Sequence, residues 1–524
     1  MSDRPTFYIT TAIFYPSERP ALHSLFEAIG ADMIARYQRL LGRETRFLTG
    51  FDEHSANVER DARDLGIDPH ELIDPWAATW KATFERFDIS FDRFIRTTDP
   101  DHAGASAEMV RRAQANGDVY EGVYSGWFCT GCNEFKTDQQ LVDGRCPDHP
   151  TLDPQWLEES NYFFRLSAYQ ERLEQLYAEN PSFCEPAHFR NEVLGWLREG
   201  LRDFSLSRSG VTWGIPFPGD ERHRIYVWFD ALTNYLTGAG FPDDTAELSK
   251  WWPADLHVIG KNITRFHCLY WPAMLMSAGL PLPKQVFAHG FMYDISGQRM
   301  SKTTGNTEDP DQMADRFGVD GVRYTVLREV AFERDSNVTL DGFVRRYNAD
   351  LANDLGNLVN RTVSMTNRYL GGAIPPVIGA AQPADRELQA TAESCVARYH
   401  AAMGDHRLAE ALSAMMDLAG AANGYAESQA PWALAKAGDS QRVGEVLSVM
   451  AEACRMIGHL LAPVAPSGAR QVLEQLGAPI AYDERGGGGP GLDALLTWGA
   501  GPVDWRAGEP APIFPRLEVP EAAT

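Results

Sequence analysis

The chain has 524 residues, more than one hydrophobic core can serve, and domain-size scaling predicts about three or four units. No apolar run approaches the roughly 20 residues that span a bilayer, and "MSDRPTFYITTAIFYP" lacks a basic segment followed by a long apolar one; the expectation is a cytoplasmic protein with no membrane partner. A formal net charge of -24 excludes broad, non-specific nucleic-acid binding but allows a local basic patch, and seven cysteines in so long a chain are not a disulfide scaffold.

The first 50 residues alternate a strand-like "TFYITTAIFY", a Pro-bounded turn, an amphipathic "LFEAIGADMIARYQRLLG" and a second strand-like "TRFLTG". Such a β-turn-α-β unit builds a parallel sheet whose ligands gather at the carboxyl ends of its strands. The helix entry, "PALHS", holds one histidine and no glycine where phosphate-binding chemistry is usual. Further on, "CTGCNEFKTDQQLVDGRCPDH" sets Cys129, Cys132, Cys146 and His149 as C-x2-C and C-x2-H pairs. Each pair offers two ligands to one zinc ion, and four ligands close a structural tetrahedron with no open position. The alternative, four unrelated residues in a reduced protein, has this paired spacing against it.

Strand-like runs return at "HRIYVWFDAL", "DLHVIGKN" and "QVFAHGFMY", so the sheet is interrupted by an insertion of about a hundred residues that carries the cysteines. Beyond about residue 345 the periodicity turns helical, as in "EVLSVMAEACRMIGHLLAPVA", and predicts a helix bundle. The run "ERGGGGPG" reads as a flexible linker, and the Pro-rich tail after it as packing only in part.

Eight stretches in this order, "FYITTAIFYP", "RFLTGFDEH", "FIRTTD", "YVWFDALTNYLTGAGF", "WPADLHVIGKNITRFHCLYWPAML", "RMSKTTGN", "LANDLGNLVNR" and "APWALAK", resemble the methionyl-tRNA synthetases, which are class I aminoacyl-tRNA synthetases. The resemblance implies an α/β Rossmann-type catalytic domain split by a zinc-knuckle insertion and followed by an α-helical anticodon-binding domain. On this sequence the catalytic halves fall at 1–116 and 218–294 and the insertion at 117–217. A mobile-loop and stem-contact region follows at 295–347, the helical domain at 348–480, and a linker and tail at 481–524. The implied reaction is ATP-dependent activation of methionine, or a close analogue, as an aminoacyl adenylate, then transfer to an initiator or elongator methionine tRNA. Mg-ATP is a substrate and one zinc ion is structural; a monomer is the default expectation.

By the same resemblance, Ile13, Tyr15, Trp228, Ala231, Leu232, Tyr235 and His267 wall the methionine pocket, and Asp52 binds the ammonium group. Alone, the aromatics of "YVWFDALTNY" read as core residues. "RMSKT" stands where the family has KMSKS: Lys302 keeps the catalytic cation at the ATP phosphates, Arg299 replaces the first lysine, and Thr303 keeps a hydroxyl. A solvated polar turn is the alternative. In "GKN", Gly260 admits the nucleotide closely and Asn262 replaces the family's aspartate, so weaker ribose binding and a tolerated near-isosteric exchange stand equally open. Asn357, Arg361, Pro431 and Trp432 match anticodon-reading positions, with Arg345, Arg346 and Arg368 as a local positive field; without the resemblance Trp432 reads as core.

One motif departs. Ala21, Leu22, His23 and Ser24 fall on the family's HIGH motif, so two imidazoles that stabilise the transition state become alanine and serine, and the glycine beside adenine becomes histidine. His23 and Ser24 are the substitute donors if the chain is a slow or altered synthetase, and with Ala21 they face ATP. Two other readings are a ligase repurposed to a small-molecule acceptor and a non-catalytic tRNA- or methionine-binding paralogue. In a purely structural reading His23 is an ordinary helix-start residue.

Overall fold

The protein is described by a computed structural model covering residues 4–16, 19–131, 134–136, 138–147, 150–294, 296, 298, 309–376 and 382–518. Strand β1 (Thr6–Phe14) is buried at six successive positions, as expected of a central strand covered on both faces. It feeds helix α1 (Leu22–Leu40), in which every residue but His23 is buried. The chain returns as β2 (Glu44–Phe51) and β3 (Arg93–Arg96), then α2 (Pro100–Ala115). The long strands β4 (Val119–Cys129) and β5 (Gln155–Phe164) pair antiparallel in a separate four-stranded sheet. The short β6 (Cys184–Glu185), helix α3 (Val227–Thr237), β7 (Leu256–Gly260) and β8 (Val286–His289) follow.

The main sheet has the order β3-β2-β1-β7-β8-β6, and every pairing in it is parallel. Between β3 and β7 the chain leaves to build the second sheet and lends only β6 to the edge of the first. The strand expected over "HRIYVWFDAL" stops at Ile225, and α3 begins at Val227. Trp228, Ala231, Leu232 and Tyr235 lie at i, i+3, i+4 and i+7, one stripe of a helix, and that spacing prevails over the strand preference of the aromatics.

The second half is helical: α4 (Val319–Glu329), α5 (Asn357–Leu370), α6 (Pro383–Gly404), α7 (Leu408–Gln429), α8 (Pro431–Ala437), α9 (Ser440–Leu461) and α10 (Pro466–Leu476). It is welded to α1 by a buried network. Asp32 of α1 accepts from Arg36 Nε at 2.7 Å and from Arg323 Nη2 at 2.6 Å. Arg323, itself fully buried, also donates to the carbonyls of Phe87 and Val464, 3.0 and 2.7 Å away. Burial opposes the charge on Asp32, but the two guanidiniums outweigh it and hold the carboxyl well below its usual range. The glycine-rich run expected to be a free linker is instead pinned. Arg36 donates to the Glu484 carbonyl at 2.6 Å, Arg485 pairs with Asp92 at 2.7 Å, and Gly486, at φ +90°, lies against the Arg36 carbonyl. Composition made this stretch look loose; tertiary contacts order it. The tail packs in part, with Trp505 buried and donating to the Leu476 carbonyl.

Candidate active site

Strand β1 has β2 on one side and β7 on the other, and such a switch in strand order leaves a crevice beyond the carboxyl ends. A cavity of about 530 Å³ opens there. The predicted amino-acid residues Ile13, Tyr15, Asp52, Trp228, Ala231, Leu232, Tyr235 and His267 all line it, and so do the predicted nucleotide residues Ala21, His23, Ser24, Gly260 and Asn262. Arg299, Lys302 and Thr303 lie outside the described residues.

One wall is apolar and uncharged. Trp228 stacks on Phe266 with centroids 3.6 Å apart, and Tyr15 meets Trp228 edge-on at 6.2 Å. His267 Nδ1 donates to the Ile263 carbonyl at 3.1 Å, which leaves Nε2 to accept from the Tyr235 hydroxyl at 2.6 Å. Burial drives the His267 pKa down to about 4, so the ring is neutral at physiological pH. This wall suits an uncharged, polarizable side chain.

Across from it lies an acid with no cation paired to it among the described residues. Asp52 is 3% exposed, and its Oδ1 is buried without a hydrogen-bond partner among the described residues. Burial first, then the neighbouring Asp230 and Glu53, push its pKa well above the usual carboxylate range. Its neighbours are both satisfied. Asp230 takes His54 Nδ1 and His102 Nε2, each at 2.7 Å, and although burial opposes its charge these imidazoles hold the carboxyl far below the usual range. Glu53 takes Arg96 Nε at 2.6 Å. Of the three carboxyls, only Asp52 can welcome a cation from the cavity.

Sequence reasoning missed Asp230 and its two imidazoles, and it missed Glu27. Glu27 lies one helical turn from His23; it accepts the Ala12 amide at 2.9 Å and meets His289 Nε2 at 2.9 Å. Both Glu27 and His289 line the cavity. The i, i+4 spacing from His23 was the available signal.

On the nucleotide side, a Cβ at Gly260 would stand 2.8 Å from Asn262 Oδ1, so any larger residue there would push the Asn262 amide aside. Helix α1 starts from Ala21, which has extended backbone angles and no capping side chain, and its first turn carries no acid. The positive end of a 19-residue helix therefore faces the cavity.

Two predicted groups lie elsewhere. Trp432, at the start of α8, is 39% exposed, which removes the core reading, and Arg361 of α5 lies 5.5 Å from its ring while pairing with Glu427 at 2.7 Å. Asn357 is exposed one turn before Arg361, whereas Pro431 is buried. Arg346 is offset by Glu329 at 2.9 Å and so adds little to any positive field. Of the predicted zinc ligands, Cys129 and Cys146 are buried, which suits ligand thiolates, while Cys132 and His149 lie outside the described residues. Among the described residues no group of three or more His, Cys, Asp or Glu could hold a metal. The turn after Cys129 reaches the site: Asn57 donates to the Thr130 carbonyl at 3.0 Å, and Gly131 lines the cavity.

Comparison with known proteins matches residues 7–153 and 149–363 to the family described as tRNA synthetases class I (M), and residues 375–484 to the anticodon binding domain of methionyl tRNA ligase. The methionine--tRNA ligase of Thermosynechococcus vestitus is 42% identical over 523 residues, 98% of each chain. That of Brucella melitensis is 43% identical over 516 residues, again 98% of each. The structure of Mycobacterium tuberculosis methionyl-tRNA synthetase in complex with methionyl-adenylate superposes with a TM-score of 0.90 at 42% identity, covering 98% of this chain and all of that one.

Proposed function

Because the chain belongs to the methionyl-tRNA synthetase family of class I tRNA synthetases, we propose that it activates methionine with ATP and transfers it to a methionine tRNA. The observation that carries the reading is Asp52, a buried carboxyl with an unpartnered oxygen, facing the neutral Trp228–Tyr235–His267 wall across one cavity. An α-amino acid with an uncharged, polarizable side chain satisfies both at once.

With the ammonium on Asp52 and the thioether against the wall, the substrate carboxylate points toward the start of α1. A carboxylate oxygen attacks the α-phosphorus of Mg-ATP and forms the carboxyl–phosphate anhydride; the bond from the α-phosphorus to the bridging oxygen breaks, and its electrons leave on pyrophosphate. A ribose hydroxyl of the tRNA end then attacks the activated carbonyl carbon, the bond from that carbon to the phosphate oxygen breaks, and AMP leaves with the hydroxyl proton taken up by its departing phosphate. Little covalent chemistry falls to the protein, so catalysis rests on positioning and on donors to phosphate oxygens. Here the donors are the first amides of α1, the Ser24 hydroxyl and the His23 ring, with Arg299 and Lys302 of the RMSKT motif. Gly260 and Asn262 receive the ribose. Cys129, Cys132, Cys146 and His149 would hold one zinc ion that fixes the turn bearing Gly131 and takes no part in the chemistry. Zinc removal should therefore loosen that wall and weaken methionine binding, read by titration before and after chelation.

The half-buried Arg361 and the exposed Trp432, side by side, suit an unpaired base. No described helix is long and apolar enough to cross a membrane. The altered Ala21–Ser24 motif favours a second reading, a ligase that hands methionine to a small acceptor. tRNA charging separates the two. Trp432→Ala should lower charging efficiency about 5- to 100-fold through tRNA affinity while leaving adenylate formation unchanged. Methionine activation with no charging of any methionine tRNA by the unaltered chain would favour the second reading.

A further inference from the structure

The charge balance of the cavity points to a phosphate-binding residue outside the recognised motifs. Its described lining includes two carboxyls, Glu27 and Asp52, and a single Lys or Arg, which is Arg19. ATP brings a highly charged triphosphate, and bond cleavage concentrates charge on the leaving pyrophosphate. Ala21 and Ser24 carry no charge to meet it. The lysine nearest in sequence to the nucleotide turn, Lys261, is not among the residues that line the cavity, and its Nζ pairs with Asp335 at 2.6 Å and lies 4.9 Å from the Phe291 ring.

Arg19 is set at the positive end of α1. It is exposed, and only Pro20, buried and fixed in φ, separates it from Ala21. The backbone at 19 is thus tethered to the rim beside the helix amides, and its exposed side chain lines the mouth of the cavity. A guanidinium is planar and permanently charged and can hold two phosphate oxygens together. We propose that Arg19 contacts the ATP phosphates and supplies the positive charge that Ala21, His23 and Ser24 do not. The proposal rests on the reading of this cavity as the ATP site of a methionine-activating enzyme.

The test titrates the full chain with MgATP and separately with methionine, then measures methionine-dependent ATP–pyrophosphate exchange, for the unaltered protein, Arg19→Ala and Arg19→Lys. Arg19→Ala should bind methionine as before, bind MgATP about tenfold more weakly, and exchange about 10²-fold more slowly, with Arg19→Lys recovering part of both losses. MgATP affinity unchanged in Arg19→Ala would overturn the proposal and leave the enzyme reading standing, and equal losses of methionine and MgATP binding in both variants would overturn it as a general disruption. An unaltered chain that binds MgATP but not methionine would sink the methionine reading, while the two variants would still report on Arg19. A chain that binds no MgATP would overturn both.

Discussion

The two ends of α1 are built to opposite standards. At its start, Ala21, His23 and Ser24 face a cavity, and the capping position, Ala21, has no side chain to cap the helix. Three turns later, Asp32 and Arg36 are sealed inside the protein and bound to Arg323, Glu484 and Asp88, which join the sheet to the helical half. The contrast separates two kinds of demand. The far end holds the domains in one arrangement and tolerates no substitution that strands a charge. The near end needs only donors aimed at a transferring phosphate, and several residue combinations can provide them. A departure from the family pattern at the near end therefore alters rate before it alters fold.

The largest effect should come from breaking the sealed end. Arg323→Met leaves Asp32 short of a partner and the Phe87 and Val464 carbonyls without their donor, and should cost roughly 3–5 kcal/mol in urea denaturation. A loss under about 1 kcal/mol would mean that water or another group replaces the guanidinium, and the contrast would fail.

Next comes the open end. Replacing Ala21, His23 and Ser24 together by His, Gly and His should raise the exchange rate about 10²- to 10³-fold with little change in melting temperature. An unchanged rate would show that the existing residues, Arg19 among them, already supply what the motif lacks.

The smallest of the three effects is at Asp52, and it carries a pH signature. Burial holds its carboxyl protonated well above the ordinary range, so between about pH 4 and that raised value the folded form binds more protons than the unfolded one. Its contribution to stability therefore falls as pH rises, and Asp52→Asn should flatten that slope and stabilise the ligand-free protein at neutral pH. The same change should weaken methionine about 10- to 150-fold by removing the charged acceptor for its ammonium. Methionine affinity of the unaltered chain should rise with pH as Asp52 ionises. A pH-independent affinity would remove Asp52 from the ammonium site.

Much of this is legible in the amino-acid sequence. The β-turn-α-β start was readable because apolar periodicity changes from strand to helix within 50 residues, and the cavity residues because their motifs keep fixed spacing. The start of α3 was misjudged because Tyr226, Val227, Trp228 and Phe229 favour strands individually, while their helical role lies in the 228, 231, 232, 235 stripe. Arg323 carried no signal at all: its partners are an acid 291 positions away and carbonyls of distant loops. The pinned run at 484–491 was hidden for the same reason, since what orders Glu484 and Arg485 is contact with Arg36 and Asp92. Local pattern reports local structure; a domain junction is recorded only in pairs of residues that sequence order keeps apart.

The central claim, that this cavity joins methionine to ATP despite the altered helix entry, is tested most directly by methionine-dependent ATP–pyrophosphate exchange with the unaltered chain. The account predicts exchange with methionine, slower than in relatives with two histidines at the helix start, and none with leucine or glutamate. No exchange with any amino acid would contradict it.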